Sequence, residues 1–299
     1  MILSESGSAP GVGPIHIDEI EPTLAPISKF LGIDLMQQAL GSVGKKQFSG
    51  DIDVAIDIPP EKLEAFYDKI KNSSLFSYVE KTSVFITAID IKNYDPNRTK
   101  TNPQTGEDEG VPKGRTGKVQ LDFMPGNPGW LKTYYHSPSE KESKYKGVFR
   151  NILLSTIAAF YDRNASEEKI DDGRPVEVER WMWSGADGLV RIKRTPKPKS
   201  KGDGYTKANI NTIIDKGIKD APGIAQALGL DGPEDLNSYE SLKAAIEKNY
   251  DPEMVAKILD SFTNNHQVKD IGIPDELKQS ETLADRNYNR VVELLKAMR

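Results

Sequence analysis

Residues 40–54 read Leu40-Gly41-Ser42-Val43-Gly44-Lys45-Lys46-Gln47-Phe48-Ser49-Gly50-Asp51-Ile52-Asp53-Val54, and no other stretch constrains the fold as strongly. Two carboxylates stand two residues apart inside an apolar run. Side chains alternate faces along a β-strand, so Asp51 and Asp53 share one face while Ile52 and Val54 take the other, toward a core. Two like charges side by side repel unless a cation sits between them. A hard divalent ion with oxygen ligands, Mg²⁺ above all, answers that need. The Gly41-Ser42 turn upstream offers backbone N–H groups and a hydroxyl to a phosphate. The stretch reads as a site for a magnesium-bound nucleotide.

Composition narrows the setting. A chain of 299 residues has room for two domains. Its net charge of −5 gives no global argument for nucleic-acid binding, so any such binding is local. With no cysteines, disulfides and thiolate metal sites are excluded. Residues 1–13 are small, polar and glycine-rich, without the basic and apolar regions of a signal peptide. No apolar run approaches the ~18 residues needed to cross a bilayer. The expectation is a cytoplasmic protein with no membrane partner. No feature fixes an oligomeric state.

Residues 1–13 read as a flexible tail. Pro22 and Pro26 interrupt a helical pattern, which leaves a short helix near Pro26–Leu31. Leu35–Leu40 and Ile52–Ile58 read as strands, and Glu61–Lys71 as a helix that starts just after Pro59-Pro60. Phe76–Glu80 and Ser83–Ile91 are β-branched and aromatic, hence strands. Asn93–Lys118 is rich in Asn, Pro, Thr, Gly and charge; a loop of this length is functional or disordered. Val119–Met124 is a strand and Lys144–Tyr161 an amphipathic helix. Val176–Trp183 and Leu189–Thr195 look like a hairpin. Residues 196–204, which include Pro196-Lys197-Pro198-Lys199, read as a linker. Beyond it Asn209–Lys219, Gly223–Leu228, Ser238–Asn249, Pro252–Asn264 and Thr282–Met298 fit helices. The expected architecture is α+β: a domain over 14–195 with a mixed sheet and flanking helices, then a smaller helical domain over 205–299.

Asp122 lies in the middle of the strand Val119–Met124. A lone ionised carboxylate there is costly unless it is paired or binds metal. If this strand lies beside Ile52–Ile58, three carboxylates converge and can hold two Mg²⁺ ions for in-line phosphoryl transfer. An apolar residue with Gly-Ser (Leu40-Gly41-Ser42), a spacer, Asp51-Ile52-Asp53 in one strand and Asp122 in a later one together resemble the nucleotidyltransferase superfamily to which DNA polymerase beta belongs. Ser49-Gly50-Asp51-Ile52-Asp53-Val54 is similar to the polymerase beta version of the motif. The stretch from Tyr135-His136-Ser137-Pro138 to Ser143-Lys144-Tyr145-Lys146-Gly147 resembles bacteriophage-encoded members, which would make the compartment a host cytoplasm.

The resemblance implies a nucleotidyltransferase-like fold over residues 15–190 and an enzyme that uses a nucleoside triphosphate. Gly41 and Ser42 would meet its β- and γ-phosphates. Asp51 and Asp53 would hold the nucleotide-bound ion, and all three aspartates the catalytic ion, with Mn²⁺ as a substitute for Mg²⁺. Asp122 would help deprotonate the attacking hydroxyl. The expected acceptor is an RNA or tRNA 3′ end; a protein side chain, a small molecule, cyclic oligonucleotide synthesis and a catalytically silent binding or structural protein on the same fold stay open.

Lys45 and Lys46 are equally well read as phosphate ligands or as surface lysines. Lys113 and Arg115, in the long loop, would reach phosphate if that loop were a flap over the site. His136, Lys144 and Arg150 follow the Asp122 strand and are candidates for acceptor or phosphate contact. A second basic cluster runs from Arg191 through Lys201; such runs are solvated faces or tracks for a phosphate backbone.

Overall fold

Alternation in the strand after Asp51 decides how the first half of the chain packs. Ile52, Val54 and Ile56 are fully buried on one side, as the period of two requires. In the computed structural model, which describes residues 9–103, 105–165 and 178–278, the chain divides into two compact units, Met1–Gly147 and Val148–Arg299.

The first unit runs β1 (Ile15–His16), α1 (Ile17–Leu31), β2 (Phe48–Ser49), β3 (Ile52–Ile56), a 3₁₀ turn at Pro60–Lys62, α2 (Leu63–Lys71), β4 (Tyr78–Lys81), β5 (Phe85–Asp90), β6 (Lys118–Pro125) and α3 (Pro128–Tyr134). β1 and β2 form a small antiparallel pair. The main sheet has the order β3-β6-β5-β4, with β3 parallel to β6 and the other pairs antiparallel. Its core face joins Ile52, Val54, Ile56, Phe85, Ile89, Leu121 and Phe123 to Ile20, Leu24 and Ile27 of α1 and Phe66 and Ile70 of α2. Each such side chain contributes about 1.5–3 kcal/mol by leaving water. The other face carries the polar residues Asp53, Gln120 and Asp122.

The second unit runs α4 (Gly147–Phe160), β7 (Asn164–Ala165), β8 (Val178–Ser184), β9 (Gly188–Pro198), β10 (Tyr205–Ile213), α5 (Ala221–Ala227), a 3₁₀ turn at Pro233–Leu236, α6 (Tyr239–Asn249), α7 (Pro252–Thr263), α8 (His266–Ile271) and α9 (Asp275–Lys278). Its antiparallel sheet has the order β10-β9-β8-β7. Buried Phe149, Tyr239 and Phe262 pack together where α4, α6 and α7 meet, Tyr239 stacked on Phe262 and Phe149 edge to face with Tyr239. The protein is α+β, with a mixed four-stranded sheet, flanking helices and a helical C-terminal part. Among the described residues no helix is long and apolar enough to cross a membrane.

Several expectations are corrected. α1 spans Ile17–Leu31 rather than starting near Pro26. Its two prolines sit four residues apart on a half-exposed stripe, while Ile20, Leu24 and Ile27 fill the core on the opposite side. A capping box of His16 and Glu19 closes its N-terminus. Residues 35–39 are turns, and only Ala39 makes a single bridge, to Val54. In the expected helix Asn209–Lys219, residues 209–213 are the end of strand β10 and residues 214–219 are not helical. The expected linker 196–204 is the end of β9 and the hairpin turn, closed by the Lys199 N–H donating to the Gly204 carbonyl. Among the described residues β8 pairs with β9 up to Arg194, so no described neighbour is deprived by the missing N–H groups of Pro196 and Pro198. The two compact units divide after Gly147, the first residue of α4. Ala9 in the expected tail is buried and bonded to Gln120. Residues 1–8 and the helix expected at Thr282–Met298 lie outside the described residues.

Candidate active site

β3 is an edge strand of the main sheet, and residues 38–40 cover its open side. The Leu40 N–H donates to the Asp53 carbonyl at 2.8 Å, and the Ala55 N–H donates to the Gln38 carbonyl at 2.9 Å. This pairing leads the chain straight from Leu40 into Gly41, beside Asp53. Gly41 turns there with φ +60°, where a residue with a Cβ is strained. A Cβ on Gly41 would lie 3.8 Å from Asp53 Oδ2 and 3.9 Å from the Tyr135 carbonyl oxygen. The Gly-Ser turn therefore borders the Asp53 carboxylate.

On the other side of β3, the parallel register sets Asp53 directly opposite Asp122 of β6. The expectation that the two strands are neighbours is met, and both aspartates take the same face. Asp51 precedes β3 by one residue, and its charge is felt at both other carboxyls. Burial first, then the charges of Asp51 and Asp122, holds the Asp53 carboxyl well above the usual carboxylate range. Asp122 is buried and its carboxyl is pushed up to about 7; burial dominates, a hydrogen bond from Gln120 opposes it, and the Asp51 charge adds to it.

Gln120 was not anticipated from the sequence. Its Nε2 donates to Asp122 Oδ2 at 2.9 Å, while its Oε1 accepts from the Ala9 N–H at 3.1 Å. The amide is thus held at both ends and fixes one oxygen of Asp122. The other oxygen, Oδ1, is buried and has no hydrogen-bond partner among the described residues. A strand of the form Gln-x-Asp, with both residues on one face, was the available signal. The residues fit a hard cation: Asp53 and Asp122 share one face, burial and the Asp51 charge hold both toward the protonated form, and among the described residues one oxygen lacks a partner. Among the described residues no three acidic or imidazole side chains already surround a single point, so the aspartates are neighbours in register rather than a ready-made cage.

α3, also unanticipated, brings Tyr134 and Tyr135 to this side. Asn127 caps it by accepting from the Trp130 N–H at 3.0 Å, and Pro128 occupies its first turn. The tyrosine rings meet edge to face at 4.8 Å, and the Asp53 charge acts on Tyr135. Lys45 Nζ donates to the Ser137 carbonyl at 2.9 Å, tying the glycine turn to the segment after α3. His136 is in that segment, and both it and Lys45 act electrostatically on Glu142. Lys45 and His136 therefore lie together near the turn. Lys46 is half-buried beside it.

The remaining candidates go elsewhere. Arg115 is corrected: its side chain is 2% exposed and forms a two-armed ion pair with Glu19, at 2.7 and 3.1 Å. It also donates to the Pro14 and Asp95 carbonyls and packs over Phe48 and Tyr94, so it pins the base of the long loop to α1. Arg150 is buried in the second unit, where its Nε donates to the Leu236 carbonyl. Lys113 is exposed on the long loop. Lys144 is exposed, with its ammonium over the Tyr145 ring. Compared with known proteins, the chain matches no protein-family model and no curated protein.

Proposed function

We propose that the first unit is a magnesium-dependent nucleotidyltransferase that moves a nucleoside monophosphate from a triphosphate to a hydroxyl acceptor, an RNA 3′ end in the first instance. The observation that carries this reading is the register of Asp53 against Asp122, with the Gly41 turn bordering the Asp53 carboxylate. Asp51, Asp53 and Asp122 would hold the ions. Bound Mg²⁺ would neutralise phosphate charge and acidify the attacking hydroxyl.

The chain's own groups account for the rest. The Gly41-Ser42 turn presents backbone N–H groups and a hydroxyl to the terminal phosphates. Lys45 stands over the same turn through its bond to Ser137 and adds positive charge. Asp122, with a carboxyl poised near neutrality, takes the hydroxyl proton at Oδ1, the oxygen that Gln120 leaves unengaged. The acceptor oxygen bonds to the α-phosphorus, the bond from that phosphorus to the bridging oxygen breaks, and pyrophosphate leaves.

The test is incubation with Mg²⁺, each α-labelled nucleoside triphosphate and total cellular RNA, beside Asp53→Ala. The reading predicts label in RNA from the intact protein and none from the variant. Label in protein or in a small molecule would keep the chemistry and replace the acceptor. Equal labelling by the variant would overturn the site.

A further inference from the structure

A second concentration of charge lies in the second unit, in its antiparallel sheet. Between Lys193 and Lys201 the chain carries five basic residues and no acidic one, in a protein of net charge −5. Pairing of β8 with β9 sets Val178 opposite Arg194 and Arg180 opposite Ile192, so Arg180 and Arg194 are diagonal neighbours on one face. Arg163 approaches them closely enough that both it and Arg194 bear on Arg180. Burial first, then these two like charges, lowers the Arg180 guanidinium to about 10. Among the described residues no carboxylate offsets them at Arg180, and its buried Nε has no hydrogen-bond partner. Arg191 differs: it is paired with Asp162 at 3.1 Å and stacked on Trp181. Among the described residues Arg191 is thus paired with a carboxylate, while Arg163, Arg180 and Arg194 act on one another.

Beyond these arginines the β9–β10 hairpin runs on past the position opposite Val178, the first described residue of β8. Lys197, Lys199 and Lys201 are exposed along it, and Tyr205, just past its turn, is 43% exposed. Alternation sets Lys197 and Lys199 on the face of β9 opposite Arg194, and the register of Tyr205 with Pro198 sets the ring on the Arg194 face. Cations on both faces of a narrow ribbon that also carries an open aromatic ring match a phosphodiester backbone crossing the ribbon with unpaired bases, because a ring stacks only on a base that is free of its partner strand.

We propose that Arg163, Arg180, Arg194 and the lysine-rich β9–β10 hairpin bind single-stranded nucleic acid, the backbone on the cations and a base on Tyr205. That this strand is the acceptor rests on the transferase reading; that it binds does not.

The test measures fluorescence anisotropy of a labelled single-stranded RNA of about 20 nucleotides with the full chain, from about 50 to about 300 mM salt. Expected is binding that weakens steeply with salt. Replacing Lys197, Lys199 and Lys201 together by Gln, all at exposed positions, should flatten the log–log slope by about 2 and weaken low-salt binding at least tenfold. Arg194→Gln should weaken it further, and Tyr205→Ala should weaken binding to the single strand but not to a duplex. Asp53→Ala should bind as the intact protein does, which separates this surface from the catalytic reading. No binding at low salt, or an unchanged slope in the triple variant, would overturn the proposal. So would capture of anionic lipid vesicles in preference to RNA with the same dependence on the lysines, since that would assign the cations to a membrane surface.

Discussion

Arg115→Met is the most informative single change for how the site strand is held. In the folded protein Arg115 makes four hydrogen bonds, two to Glu19 and one each to the Pro14 and Asp95 carbonyls. Both charged side chains are nearly inaccessible, at 2% and 1%. Removing the cation strands a buried carboxylate, and breaking a buried pair in this way costs about 3–5 kcal/mol. With a urea dependence of about 2 kcal/mol per molar, the unfolding midpoint should fall by about 2 M. Because the chain has two units, unfolding is best followed by hydrogen exchange in peptides of residues 1–147. The pH dependence has a definite sign. Burial alone would raise the Glu19 carboxyl, but the hydrogen bonds from Arg115 and from the backbone N–H groups of His16 and Asp95 bring it below its usual value. A depressed folded value means stabilisation that is present above the unfolded carboxylate value, about 4, and is lost as pH falls through the folded value. The variant's deficit should therefore shrink in acid, where the stranded carboxylate takes up a proton. Glu19→Gln combined with Arg115→Met should recover most of the loss. Nucleotide KM should stay unchanged in the folded variant. A loss under about 1 kcal/mol, or a large rise in KM, would refute the reasoning and restore Arg115 as a phosphate ligand on a movable loop.

Three further outcomes follow from the site. Asp122 has a raised carboxyl, so its contribution to stability is full below the unfolded carboxylate value and is lost as pH rises through about 7, by up to about 4 kcal/mol without metal; Asp122→Asn should flatten this dependence in thermal unfolding with EDTA between pH 5 and 8. Gln120→Leu removes the one hydrogen bond that lowers the Asp122 carboxyl, so the acid limb of the pH–rate profile should move to higher pH, and an unmoved limb would remove Asp122 as the base. Gly41→Ala forces a Cβ into φ +60°, at a cost of about 1–2 kcal/mol in folding, while its nearest neighbours at 3.8 and 3.9 Å give no clash; a stability loss with no change in nucleotide affinity would move the phosphates away from this turn.

What the sequence made legible was whatever depended on the period of two. Asp51-Ile52-Asp53 and Leu121-Asp122-Phe123 alternate, and their faces come out as alternation requires. The misread elements are those in which tertiary packing outweighs local preference. Pro22 and Pro26 should stop a helix, but they lie on a half-exposed stripe while the opposite side is anchored in the core. Pro196 and Pro198 mimic a linker although they lie within β9, paired with β10. Asn209–Ile213 carries β-branched residues that favour a strand, yet its apolar positions also fit a helical spacing. Arg115 was misassigned because its partner, Glu19, is distant in sequence and only the fold reveals their pairing. Gln120 was overlooked because an amide two residues from a carboxylate carries no charge signal.

The most direct measurement is calorimetric titration of a non-hydrolysable nucleoside triphosphate into the full chain, with Mg²⁺ and with EDTA, beside Asp53→Asn and Asp122→Asn. The account predicts binding that requires the metal and weakens at least about tenfold, roughly 1.4 kcal/mol, in each variant. Binding of equal strength in EDTA, or undiminished in both variants, would contradict it.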